Sequence, residues 1–383
     1  MNPQSSERST PVPVLLLIRK LESGGSERQL AEVARSLDRR RFEPHVGVLH
    51  GGGIRTADVE GAGVPVTVFP VPSFKKPGFF TAGLALMRYV RRHRIRIVHP
   101  FDVPANLFGV PFARMAGVPH IIASQRAHRD LVGPVMRGGL RLVDRLATAT
   151  VVNCEYLRRH LVEDYGVPDQ SIHLCYNGID TLRFRTDPAH VRPAGLEEGS
   201  LVVGSICALR PEKDLATLLR AFARIPDRPP GVRLLIGGGG PCAVELRELA
   251  AELGIEQSVY FAGEQRDVVP WMRSLDIFVL PSLSEAFSNS IMEAMACGAC
   301  VVASEVGGNP ELVRHGETGL LFSKGDVDVL SGHLARLIAD AELRRRLARH
   351  GHDRIHSEFT LSHAADRMAE IYTGLITGRN SGE

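Results

Sequence analysis

Ile277-Phe278-Val279-Leu280-Pro281-Ser282-Leu283-Ser284-Glu285-Ala286-Phe287-Ser288-Asn289-Ser290-Ile291-Met292-Glu293-Ala294-Met295-Ala296-Cys297-Gly298 reads as a buried strand, a turn and a helix. The apolar run Ile277 to Leu280 stops at Pro281-Ser282, and the helix opens at Ser288, Asn289 and Ser290 and ends at Gly298. Small polar residues at the helix mouth leave its first N–H groups accessible, and the helix dipole adds partial positive charge there. That combination suits a phosphate. Two carboxylates bracket the mouth: Glu285 in the approach loop and Glu293 over a turn into the helix. One acid can bind hydroxyls at one end of a diphosphate while the other faces the opposite end. Taken singly, a Glu at a helix start is common and a Glu in mid-helix faces water. Strand, turn, paired acids and small-residue mouth together argue for a site.

Outward from this stretch, short apolar strands alternate with amphipathic helices, the pattern of parallel α/β sheets. In the first half Val14 to Ile18 leads through a loop into a helix ending at Arg35. Strands follow at His45 to Leu49, Val66 to Phe69, Ile95 to His99, His120 to Ala123 and Ala149 to Asn153. The second half has strands at Leu201 to Ile206, Val232 to Ile236, Val259 to Phe261, Ile277 to Leu280 and Val301 to Ala303. Helices there run from Leu215 to Arg224 and from Ala243 to Leu253. Asp180 to Ser200, rich in Asp, Pro, Arg and Gly, lacks a period and reads as a linker. The expected fold class is α/β: two Rossmann-like domains facing across a cleft, with ligand at the carboxyl ends of the strands. The boundaries are 1–180 and 181–363.

Composition agrees. The 383 residues suffice for two cores, and 44% hydrophobic with 23% charged is ordinary for a soluble globular protein. A net charge of +3 gives no case for nucleic-acid binding. Six scattered cysteines fit a reducing cytoplasm better than a disulfide framework. Cys297-Gly298-Ala299-Cys300 lies where the helix ends and a strand begins, and no second pair completes a zinc site. Met1 to Thr10 is polar, and Val12 to Ile18 is too short to span a membrane.

Further signals lie after other strands. Gly24-Gly25 follows the first strand and precedes Ser26-Glu27-Arg28, a second candidate anion or sugar site or a plain turn. Gly237 to Gly240 does not spell a dinucleotide fingerprint, and no phosphate-loop motif occurs. Arg210-Pro211-Glu212-Lys213, after the strand ending at Ile206, could neutralise a leaving diphosphate. Asp326-Val327-Asp328 reads as a helix cap rather than a metal pair.

The Glu285 and Glu293 spacing resembles the E-x7-E signature of retaining glycosyltransferases of the GT-B fold, in particular glycosyltransferase family 4. The resemblance implies that Glu293 holds the nucleotide ribose, that Glu285 faces the donor sugar, and that N–H groups of Phe287, Ser288, Asn289 and Ser290 hold the diphosphate. Gly24, Gly25 and Glu27-Arg28 resemble the family's G-G-x-E-R motif, Gly237 to Pro241 its G-x-G-P turn, Tyr176 to Asp180 its P-N-G-[IV]-D turn, and Gly307 to Glu311 its late G-G-x-x-E turn. His99 and the Ala105 to Gly109 stretch match its acceptor-side domain. Lys213 matches a diphosphate-binding Lys. The Arg expected five positions earlier falls on Ala208, so Arg210 is the candidate substitute. Gln125-Arg126-Ala127-His128 resembles the subset with A-S-x-R, which makes Arg126 the cleft residue and His128 the runner-up.

By this resemblance the chain is expected to move a sugar from a nucleotide diphosphate donor, UDP-linked, to a glycan or lipid-linked acceptor in polysaccharide or glycolipid biosynthesis. It is expected to keep the anomeric configuration and to use neither metal nor cofactor. A last helix within 364–383 is expected to pack back on the first domain, and the protein is expected in the cytoplasm. Phe74-Lys75-Lys76-Pro77-Gly78-Phe79-Phe80 and the arginines 88, 91, 92, 94 and 96 suggest peripheral contact with the inner membrane face. A solvated helix face with Arg88, Arg91 and Arg92 opposite Leu84 and Met87 explains them equally. The alternatives are a non-catalytic nucleotide-sugar-binding subunit, kept open by Ala208, and an epimerase sharing the fold.

Overall fold

The computed structural model describes residues 10–378 apart from 23, 188, 194, 197 and 198. Most of the polar start, four positions of the expected linker and the last five residues of the 364–383 segment lie outside the described residues. The chain divides into two compact units, Met1–Gly178 with Leu361–Glu383, and Ile179–Thr360.

The first unit is built on seven parallel strands: β1 (Val12–Ile18), β2 (Phe42–Val48), β3 (Val66–Val68), β4 (Ile97–Pro100), β5 (His120–Gln125), β6 (Ala149–Val152) and β7 (Ile172–Leu174), in the order β3-β2-β1-β4-β5-β6-β7. β1 is an unbroken apolar run because both of its faces are covered. Val14, Leu16 and Ile18 enter one core, which Met368, Ala369, Ile371 and Tyr372 of the final helix Leu361–Thr377 complete. Leu15 and Leu17 enter the other core with Leu86, Phe108 and Phe112.

The second unit has six parallel strands: β8 (Leu201–Ile206), β9 (Val232–Gly237), β10 (Val259–Gly263), β11 (Ile277–Leu280), β12 (Cys300–Ser304) and β13 (Leu320–Phe322), in the order β10-β9-β8-β11-β12-β13. Its entry and exit segments lie side by side: Ile179 bridges Thr360, and its N–H donates to the carbonyl of Phe359 at 2.9 Å. In each sheet the strand order reverses beside the founding strand, between β1 and β4 and between β8 and β11. Such a switch point splays the connecting loops apart and leaves a crevice at the strand carboxyl ends.

The α/β reading holds, with differences of detail. Strands β7 and β13 are three residues each and escaped the periodicity reading. On the helix Gly78–Arg92, Leu84 is exposed, on the same face as Arg88 and Arg91, which corrects the expectation that it opposes them. Positions 84, 88 and 91 share a face by helical spacing. The core takes Ala82, Gly83, Leu86 and Val90 instead, and the Phe112 ring sits where a Cβ on Gly83 would be.

Candidate active site

In the second unit the switch point between β8 and β11 brings opposite charges together. The loop after β8 forms one turn, Pro211–Lys213, and the loop after β11 runs beside it, with the Leu283 N–H donating to the Glu212 carbonyl at 2.8 Å. Lys213 Nζ and Glu285 Oε1 form a direct ion pair, with side chains only 18% and 10% exposed. Burial pushes the ammonium toward its neutral form. The Glu285 charge, aided by Cys207 and by the hydrogen bond from Lys213, outweighs it and holds Lys213 above its ordinary value. The same Glu285 oxygen accepts from Ser282 Oγ at 2.7 Å. Lys213 and Glu285 are 72 residues apart in sequence.

The helix Asn289–Ala296 begins immediately beyond. Ser288 is its N-cap, its Oγ accepting from the Ile291 N–H at 3.4 Å and lying 3.0 Å from Ser290 Oγ. Phe287 is buried with its ring 5.5 Å from that of Phe359. Asn289 and Ser290 are half-buried, and Glu293 is buried at 6% exposure on this helix. Glu285, Phe287, Ser288, Asn289, Ser290, Glu293 and Lys213 therefore occupy one end of one sheet. A helix mouth, a cation and two carboxylates there can bind a diphosphate and adjoining hydroxyls.

Arg210 is not brought to this cluster. Its side chain is 63% exposed, its guanidinium lies 3.8 Å from Glu212, and it lines a separate cavity of about 320 Å³ with Asp214, Arg220 and Glu245. The glycine-rich turn after β9 does serve the loop after β8. A Cβ on Gly238 or Gly240, both at positive φ, would strike the carbonyls of Cys207 and Leu209.

In the first unit, Gly24 is the exposed N-cap of the helix Gly25–Ser36 and Gly25 is equally exposed. The switch point there holds Asp102, three residues after His99. Its carboxylate accepts from the Arg19 N–H at 3.0 Å and the Ala105 N–H at 2.8 Å, so it caps the helix Val103–Ala116 and ties down the exit of β1. Burial, with Glu27 adding repulsion, lifts its pKa to about 6 against the two N–H groups that favour the charge. His99, at the end of β4, is fully buried between Tyr372 Oη and Ser124 Oγ, both at 2.8 Å, and burial keeps it neutral.

Arg126 stacks 4.6 Å from the Phe101 ring and donates from Nη1 to Asn177 Oδ1 at 2.9 Å. Burial lowers its pKa to about 10, and its Nε has no hydrogen-bond partner among the described residues. The runner-up His128 stacks on His160 at 3.6 Å, and His160 donates or accepts with Asp164 at 2.6 Å. Those three are, among the described residues, the His/Cys/Asp/Glu group close enough to hold a metal. Both nitrogens of His160 are engaged, however, Nε2 facing the Arg129 N–H at 3.4 Å. The Asp326-Val327-Asp328 pair is split between capping Val329 and pairing with Arg224. Cys297 and Cys300 are free and buried.

The signal for Asp102 was present as an Asp before Val103-Pro104, a helix start with Pro in its first turn. Asn309 lay within the Gly307 to Glu311 turn already singled out, whereas Ser282 and Ser304, which also hold the Glu285 loop, carried no such signal.

Comparison with known proteins matches this division of the chain. Residues 187–354 match the family "Glycosyl transferases group 1", and residues 23–183 match "Glycosyltransferase Family 4". The GDP-mannose-dependent alpha-(1-6)-phosphatidylinositol monomannoside mannosyltransferase of Mycolicibacterium smegmatis is 30% identical over 79% of this chain and 82% of its own length. The N-acetyl-alpha-D-glucosaminyl L-malate synthase of Bacillus anthracis is 29% identical, but the match spans only 56% of this chain and 57% of that relative. In fold, Anabaena Alr3699/HepE in complex with UDP superposes with a TM-score of 0.83 at 23% identity, over 95% of this chain and all of the other. The chain belongs to glycosyltransferase family 4 and has the GT-B fold.

Proposed function

We propose that this glycosyltransferase moves a sugar from a nucleoside diphosphate donor to a glycan or lipid-linked acceptor with retention at the anomeric carbon. The observation that carries the reading is the Lys213–Glu285 ion pair beside the mouth of the helix Asn289–Ala296. In this reading the arriving diphosphate takes over Lys213 and the helix N–H groups, while Glu293 accepts from ribose hydroxyls. Glu285, released from part of its pairing, turns its charge to the donor sugar.

Departure of the diphosphate leaves an oxocarbenium-like sugar. Lys213 and the helix start stabilise the charge that builds on the leaving oxygens. The acceptor hydroxyl attacks from the same face and passes its proton to the departing phosphate, so neither a covalent nucleophile nor a metal is required. Arg126 and the Gly24-Gly25 turn belong to the acceptor-side unit in this proposal. The UDP-linked donor expected from the sequence now competes with GDP-mannose, the donor in the name of a relative 30% identical to this chain.

Among the described residues no helix is long and apolar enough to cross a membrane. Peripheral contact is part of the proposal: exposed Phe74, Phe80 and Leu84 stand among exposed Lys75, Lys76, Arg88, Arg91 and Arg92, where anionic lipid would add attraction of about 1 kcal/mol per cation.

The test is incubation of the purified chain with radiolabelled UDP-sugars and GDP-mannose plus membrane extract. Label transferred to an acceptor, with the donor's anomeric configuration by NMR, supports the proposal. Isomerised donor favours an epimerase, and saturable binding without turnover favours a non-catalytic subunit.

A further inference from the structure

Glu285 sits in a loop, and a loop alone does not fix a carboxylate to within a few tenths of an ångström. What fixes it here is the segment after the neighbouring strand β12. Ser304 Oγ, fully buried, donates to the Ser282 carbonyl at 2.6 Å. Ser282, also fully buried, turns its own Oγ to Glu285 Oε1 at 2.7 Å. Asn309, equally buried, donates from Nδ2 to the Ser304 carbonyl at 3.0 Å and so holds the strand end in place. Between them the backbone repeats the grip. The Gly308 N–H donates to the Ala286 carbonyl at 2.7 Å. Gly307, at φ +57°, lies so close under Glu285 that a Cβ there would strike its carbonyl oxygen. The segment from Ser304 to Asn309 thus clasps the segment from Ser282 to Ala286 on both sides of the carboxylate. The chain of contacts ends on the oxygen that also pairs with Lys213.

We propose that Ser282, Ser304 and Asn309 are positioning residues for the transfer step, acting through the orientation of Glu285. The inference rests on the reading of Glu285 as the acid facing the donor sugar. Three buried polar side chains in series are an expensive way to hold a surface turn, since each must keep its partner or leave a desolvated group behind. They are explained if the last member of the series has to be held in one rotamer. Lys213 approaches Glu285 from the loop after β8 and Ser282 from its own loop, so the carboxylate is clamped from two directions while its other oxygen, Oε2, takes neither of these contacts. Loosening the clasp leaves the charge in the site but lets it wander, and a misplacement of about 1 Å in a reacting constellation costs on the order of a hundredfold in rate.

The experiment is a double-mutant cycle on the full chain, read as kcat and KM with whichever of UDP-glucose, UDP-N-acetylglucosamine and GDP-mannose gives turnover. Ser282→Ala and Asn309→Ala are each made in the wild-type and in the Glu285→Ala backgrounds. Ser304→Ala is compared with Ser304→Thr, which keeps the hydroxyl. The expected result is a fall in kcat of about ten- to a hundredfold for each alanine variant, with the donor KM within about twofold, and partial rescue by Ser304→Thr. In the Glu285→Ala background the same substitutions should cost almost nothing further, because the residue through which they act is gone.

Full losses that persist in the Glu285→Ala background overturn the proposal, and so do wild-type kcat values in alanine variants that keep the wild-type melting temperature. A variant that does not fold counts against it if its Ser304→Thr counterpart folds and is equally inactive. Wild-type turnover in Glu285→Ala alone, or no turnover of any donor by the wild-type chain, fails the underlying reading of Glu285 and this inference with it.

Discussion

The two sheets share one strand order around their switch points, yet the chemistry at those points is opposite. Between β8 and β11 a cation and a carboxylate meet in a direct pair, and the carboxylate holds the Lys213 ammonium above its ordinary value against burial. Between β1 and β4 stands an acid with no ion-pair partner among the described residues. Asp102 is held by two backbone N–H groups and pushed up to about 6, with neutral His99 near the end of the preceding strand β4. Topology supplies a crevice in both units and says nothing about its charge. A built ion pair is suited to exchanging partners with a charged ligand, whereas a lone half-buried acid is suited to holding backbone or changing its proton.

The largest effect is expected at the ion pair. Lys213→Ala removes the cation from the leaving diphosphate and strands Glu285 with a charge buried beside Ser282. Transfer should fall by two to three orders of magnitude, about 2.7–4 kcal/mol of transition-state stabilisation. Glu285→Gln should lower kcat strongly while leaving affinity for free nucleoside diphosphate near that of the wild type. If both variants show equal binding defects and no separate rate defect, the division between phosphate and sugar duties is wrong.

Asp102 should reveal itself through pH. Its folded-state pKa lies above the ordinary 3.8, so the folded chain holds this proton more tightly than the unfolded chain. The stability that this group contributes is complete below pH 3.8 and is lost as pH rises through about 6, in total about 3 kcal/mol. Urea unfolding of the wild type against Asp102→Asn from pH 4 to pH 7.5 should show the difference between them shift by that order. A difference flat across the range would mean that Asp102 is ionised throughout and acts only as a helix cap.

Glu293 tests how far the charged cluster extends along its helix. Replacing it with Ala should weaken nucleoside diphosphate binding by about 1.5–3 kcal/mol, the range for hydrogen bonds to a charged group. Calorimetry with UDP and GDP reads this directly, and unchanged affinity for both would remove the ribose from Glu293.

How much of this was legible in the sequence differs between the two levels. Strands such as Val12–Ile18 and Ile277–Leu280 announced themselves because a strand buried on both faces must be apolar throughout. The three-residue β7 and β13 went unread, although the equally short β3 was found as Val66 to Phe69, and Leu84 looked like a core residue only because it is large and apolar. Site residues next to a strand end, Lys213 and Glu285 among them, were readable from their place after the strand. Their contact was not, because 72 residues separate them. The clasp of Ser304 on Ser282, with Asn309 holding the Ser304 carbonyl, was equally hidden, since hydrogen bonds across adjacent parallel strands leave no mark of spacing. Direction of a side chain is the other quantity that sequence withholds.

Arg210 is the case in which direction decides, and it carries the smallest expected effect. By position it stands two residues from Ala208 and three from Lys213, which made it the natural replacement for the missing cation. In the folded unit its guanidinium points to Glu212 at 3.8 Å and to the cavity shared with Asp214 and Arg220, largely in solvent. An exposed ion pair of this kind contributes about 0–1 kcal/mol, and a cation in open water stabilises developing charge weakly. Arg210→Ala should therefore lower transfer by no more than about fivefold, against the two to three orders expected for Lys213→Ala. Placing Arg at position 208 should raise the transfer rate of the Arg210→Ala chain, because residue 208 lies closer to the end of β8 and its switch point. A loss of a hundredfold or more in Arg210→Ala would show that this side chain swings to the diphosphate when donor binds, and the second unit would then hold its ligand with two cations rather than one.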